Sequence, residues 1–93
     1  MKTWQVLGYG EGFVRGERVL GFELSGLVFA EGPNEAFKKA IALAKREWPE
    51  ISQADKEGFP RPVINADEVD EVTGQLIIDG ERVELFWDDQ ADN

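Results

Sequence analysis

The chain of 93 residues contains no cysteine and no histidine. The first absence removes disulfides, thiolate metal sites and cysteine nucleophiles together. The second removes the commonest general base and the commonest nitrogen ligand for zinc, copper and non-haem iron. Catalysis would have to run on carboxylates, lysines or the single tyrosine, Tyr9, and a metal would have to be held by oxygen alone. Hydroxyl side chains are equally scarce: Thr3, Ser25, Ser52 and Thr73 are the whole set, and none sits beside a base or in a nucleophile-elbow pattern. No enzyme, cofactor or metal is expected from this inventory.

Long apolar runs are also missing. Nothing approaches the ~20 apolar residues that span a bilayer, and the Met1-Lys2 start leads into a strand pattern. A soluble, cytoplasmic chain without a signal peptide is the expectation. Internal repeats and low-complexity tracts are lacking, as is the alternating strand-helix rhythm of a parallel nucleotide-binding sheet.

What is present suits one self-sufficient domain, with 42% apolar and 31% charged residues. The net charge of -9 is unevenly placed. Acids and bases balance up to Ala66. From Asp67 onward the acids are Asp67, Glu68, Asp70, Glu71, Asp79, Glu81, Glu84, Asp88, Asp89 and Asp92, against Arg82 as the one base. A field of that sign repels nucleic acid and anionic lipid and steers basic partners in. Plain solubility is the competing explanation.

Trp4 to Tyr9 reads as a strand ended by glycines, and Gly8, Gly10, Gly12 and Gly16 punctuate the segment that follows. Their spacing is near that of a phosphate-cradling loop. That device requires a helix directly afterwards, and Phe13-Val14-Arg15-Gly16 does not read as one, so a glycine-rich hairpin or bulged loop is expected. Val19 to Glu31 is a long strand in which Leu20, Phe22 and Leu24 alternate with Gly21, Glu23 and Ser25. A β-bulge at Gly26 is predicted, because it would return Leu27 and Phe29 to the face of Phe22 and Leu24.

The helix is predicted from an Asn34 N-cap to about Trp48, with Glu35 in its first turn and Pro49 as its stop. Phe37, Ala40, Ile41, Ala44 and Trp48 recur at spacings of three and four and form an apolar stripe. Lys38, Lys39, Lys45 and Arg46 occupy the rest, and Glu35 to Lys39 is a favourable i,i+4 pair. Residues 50 to 62 read as a surface connection whose Phe59 tucks against the core. Pro62 to Val72 reads as an edge strand. Leu76-Ile77-Ile78, Asp79-Gly80 and Glu81 to Trp87 read as a hairpin with a type I′ turn, with Val83, Leu85 and Trp87 facing the core. A second turn at Thr73-Gly74 would make three consecutive antiparallel strands. Trp4, Trp48 and Trp87 are read as core or core-rim residues.

The fold class is therefore α+β: an antiparallel sheet of four to five strands with one helix packed on one face, in the order β-β-α-β-β(-β). Residues 1–87 form the single domain, and 88–93 form an acidic tail expected to fray.

Asp67, Glu68, Asp70 and Glu71 lack the grammar of a calcium loop; on a strand, Glu68 and Asp70 share one face and Asp67 and Glu71 the other. The candidate partner-binding residues are Asp67, Glu68, Asp70, Glu71, Glu81, Glu84, Asp88 and Asp89. They point to a non-catalytic binding protein whose acidic C-terminal half docks a basic protein partner, as an immunity protein, inhibitor or antitoxin would. A self-associating assembly domain is the first alternative, with homo-oligomers formed through a sheet edge or apolar face. A small carboxylate-based enzyme is the second. Neither nucleic acid nor membrane is an expected partner.

Overall fold

The computed structural model describes residues 1–15, 18–49, 51 and 62–88. The elements among these residues follow in the order β1 (Lys2–Arg15), β2 (Arg18–Ala30), α1 (Pro33–Glu47), β3 (Val63–Glu71) and β4 (Arg82–Trp87), and Pro49 and Ile51 are helical beyond α1. The strands form one antiparallel sheet of order β3-β1-β2-β4, with α1 against one face, so the α+β class is as the sequence predicts.

The central ribbon is longer than the sequence suggests. β1 continues to Arg15 instead of ending at its glycines. Gly8 and Gly10 stay in the ladder, opposite Leu24 and Phe22. The break comes where Glu11 and Gly12 face Gly21 alone, and Gly12 supplies the positive φ of 79°. With 14 and 13 residues, β1 and β2 set the molecule's longest dimension, 43 Å.

The bulge predicted at Gly26 is absent. Gly26 pairs in unbroken register with Val6 on one side and Val83 on the other. Alternation therefore continues through it, burying Leu20, Phe22, Leu24, Val28 and Ala30 and leaving Leu27 and Phe29 on the far face. The reason lies in the helix. A β-carbon on Gly26 would sit 3.5 Å from the Ala40 β-carbon and 3.1 Å from Val83, so glycine here admits the helix rather than a bulge.

α1 starts two residues earlier than predicted. Gly32 is the N-cap and Pro33 the first helical residue, where its missing N–H costs nothing. Asn34 lies inside the first turn. Glu35 reaches back, its carboxylate accepting from the Glu31 N–H at 3.4 Å. The innermost stripe is Ala36, Ala40 and Ala44, all fully buried, and Phe37, Leu43 and Trp48 pack around it. Small residues at i, i+4, i+8 let the helix axis approach the sheet closely. Ile41 is only half-buried.

β3 is an edge strand beside β1, as predicted. The C-terminal hairpin does not form. β4 pairs with β2 at the opposite edge, so the connection from Val72 to Glu81 carries the chain from one edge to the other. Leu76 to Ile78 is not a strand, Ile77 is 93% exposed, and Gly80 lacks the positive φ that a type I′ turn demands. Thr73-Gly74 does turn: the Gln75 N–H donates to the Val72 carbonyl at 2.9 Å, with Gly74 at φ 81°. The optional fifth strand has no counterpart among the described residues. Val83, Leu85 and Trp87 enter the core as expected, because period-2 alternation works equally well against β2.

The core lies wholly between helix and sheet. Phe22 is its centre, tilted against Phe13 at 5.0 Å and edge-on to Trp87 at 5.1 Å. Trp4 is buried on a central strand, its indole N–H donating to the Ala30 carbonyl at 2.8 Å. Phe59 lies outside the described residues, as do Asp89 and the rest of the tail.

Candidate functional site

Alternation sends every second residue of each strand to the face opposite the helix. Cross-strand partners define rows on that open face. Glu68, Leu7, Ser25 and Glu84 form one row, and Asp70, Gln5, Leu27 and Arg82 a second. Asn65, Tyr9, Glu23 and Phe86 form a third. Beyond it stand Glu11 and, after the end of β4, Asp88.

A second bulge shapes one margin of this face. In β3 the pairing with β1 slips between Leu7 and Gly8, and Asp67 is the extra residue. Its side chain is thereby re-aimed. Asp67 lines a shallow depression of about 210 Å³ together with Leu7, Tyr9, Glu23, Ser25 and Phe86. This is smaller than the roughly 300 Å³ at which enclosed small-molecule sites begin. The expectation that Asp67 faces away from Glu68 is corrected: the bulge cancels the alternation between them.

The electrostatics show how tightly the acids gather. Neighbouring Asp70, as a hydrogen-bond acceptor for the protonated form and then through its charge, followed by slight desolvation and the Asp67 charge, holds the Glu68 carboxyl above its ordinary value. At the other end the Tyr9 hydroxyl donates to Asp88 at 3.4 Å. The Asp88 charge, then desolvation and this hydrogen bond, and then Glu11 and Glu23, raise the Tyr9 phenol above its ordinary range.

Of the predicted partner-binding residues, Asp67, Glu68, Asp70, Glu84 and Asp88 come together on the open face. Glu71 does not. It pairs with Trp4, whose side chain enters the core, so Glu71 belongs to the helix side at the sheet's corner. Glu81 has structural work instead. Its carboxylate accepts from the Phe29 N–H at 3.0 Å and meets the Lys39 ammonium at 2.6 Å, while Lys39 also donates to the Phe29 carbonyl. Two side chains thus satisfy both backbone groups of Phe29 just ahead of the start of β4. Burial pushes the Glu81 carboxyl up, but the bonds from Lys39 and Phe29 and the charges of Lys39 and Arg46 bring it below its ordinary value. Asp89 lies outside the described residues.

Glu11 and Glu23 were missed as members of this face. Counting charge by sequence halves hid them in the neutral half, although the alternation of Glu23 with buried Phe22 and Leu24 already placed it opposite the core. Among the described residues no group of three or more Asp or Glu is arranged to hold a metal ion, and no helix is long and apolar enough to cross a membrane. Searches of protein-family models, curated proteins and solved structures return no match to the chain.

Proposed function

We propose that the chain is a non-catalytic protein-binding module whose open sheet face docks a basic protein partner, in the manner of an immunity protein, inhibitor or antitoxin. The observation that carries this reading is the mixture on that face. Among the described residues, seven carboxylates, Glu11, Glu23, Asp67, Glu68, Asp70, Glu84 and Asp88, surround partly exposed Leu7, Leu27, Tyr9 and Phe86, with Arg82 as the one cation. Acids alone would serve solubility. Acids around accessible apolar side chains provide both steering and contact area.

The test is retention of partners from a lysate of the protein's own cells at low and high salt, using the native chain and the triple variant Glu68→Gln, Asp70→Asn, Glu84→Gln. A basic protein should be held at low salt and released at high salt, with association slowed about tenfold or more in the variant. Retention indifferent to both salt and variant would refute the reading.

Self-association through the β3 edge, which has no further strand beside it among the described residues, is the second reading, favoured by Val63, which is 51% exposed on that edge. A sedimentation coefficient that does not change with concentration would remove it.

A further inference from the structure

Most apolar side chains of the open face lie on one line, with Phe86 set beside it on β4. Phe29 and Leu27 on β2 lead, one row at a time, to Leu7 and Tyr9 on β1, forming a diagonal seam. Its length is about 20 Å, six residues of strand at ~3.4 Å each. The acids run along both sides of it. Asp67, Glu68 and Asp70 form one rail on β3; Glu23, Glu84 and Asp88 form the other toward β4.

Three strand spacings, about 14 Å, separate the outer strands. An α-helix is about 10–12 Å across with its side chains and covers 20 Å in roughly 14 residues. It fills the space between the rails. A single extended strand is too narrow for its side chains to reach both, and a second copy stacked face to face would set seven carboxylates against seven. The chain's own helix is a poor complement too, because its exposed surface mixes Lys38 and Arg46 with Glu35 and Glu47.

Resting on the docking reading above, we infer that the seam between Phe29 and Tyr9 seats one amphipathic helix of a partner protein, apolar along its inner face and basic along both flanks. The seat has a polarity. Glu11, Glu23 and Asp88 gather at the Tyr9 end, where they favour a helix N-terminus, and Arg82 stands beside Leu27, where it favours a C-terminus.

The probe is a capped synthetic 14-residue peptide with leucines at i, i+3, i+4 and i+7 flanked by lysines, compared with a peptide of the same composition scrambled to destroy that period. Each is titrated at low salt into the isotope-labelled full chain and followed by amide chemical shifts and peptide circular dichroism. The amphipathic peptide should become helical and shift the amides of Leu7, Tyr9, Ser25 and Leu27. The scrambled peptide, and the amphipathic peptide on the Glu68→Gln, Asp70→Asn, Glu84→Gln variant, should each bind about tenfold more weakly or worse. A paramagnetic label at the peptide N-terminus should broaden Tyr9, and one at its C-terminus Arg82.

Equal binding of the two peptides overturns the helix seat while leaving acid-driven docking intact. So does extended peptide bound along the β3 edge, or concentration-dependent broadening of the face without peptide, which would identify a second copy as its occupant. Absence of any shift on the open face overturns it as well. Failure of the docking reading itself shows separately, as lysate retention that the triple variant does not change.

Discussion

The ring of Phe22 lies so closely over Gly10 that a β-carbon on the glycine would come within 2.4 Å of the ring's Cζ atom. The two are cross-strand partners, and the ring cannot withdraw, because Phe13 and Trp87 hold it on either side. Gly10→Ala should therefore lower stability by about 1–3 kcal/mol, the usual cost of overpacking a core. Gly80→Ala, where a β-carbon meets nothing within 4 Å, should change it by less than about 0.5 kcal/mol. Urea unfolding of the two variants checks the contrast, and equal midpoints would contradict it.

The Lys39–Glu81 pair should show in the acid limb of the stability curve. Glu81 has a folded pKa below its unfolded value, so its contribution is complete above the unfolded value and disappears as pH falls through the folded one. Glu81→Gln should lose about 1 kcal/mol at neutral pH and approach the native chain on acidification. A deficit that persisted at low pH would assign the effect to packing.

Glu68 should behave in the opposite sense. Its folded pKa is raised, so stability is greatest with the proton bound and declines as pH rises through the folded value. Glu68→Gln should accordingly be more stable than the native chain at neutral pH, with the gain vanishing at acid pH. Thermal midpoints across pH 3 to 7 measure this, and a neutral-pH loss of stability would contradict it.

The sequence made the helix, the edge position of β3 and the inward residues of β4 legible, because each rests on a local period or a stop signal. Pro33 and Pro49 bound the helix, and Val83, Leu85 and Trp87 alternate cleanly. The partner of β4 was not legible. Asp79-Gly80 suits a tight hairpin, yet alternation does not record which edge a strand joins, and β2 offered an edge beside the helix. Bulges were equally hidden. Gly26 and Gly12 look alike in sequence, but one lies under Ala40 and the other takes positive φ. For the site, the acids of β3 and β4 were readable from charge placement. The inclusion of Glu11 and Glu23 and the turning of Asp67 toward Glu68 required the register.

Among the described residues the outer strands of the sheet are β3 and β4, whose charged residues come from the acidic part of the chain, whereas the ribbon they flank belongs to its electrically balanced part. The lopsided charge of the sequence thus becomes, in the sheet, a charged rim around a near-neutral centre. A free edge is a template for another strand, and like charge on both edges opposes growth of one sheet into the next. That protection is carried by carboxylates, so it belongs to neutral pH and is withdrawn in acid, where neither edge is guarded by charge against pairing with another strand.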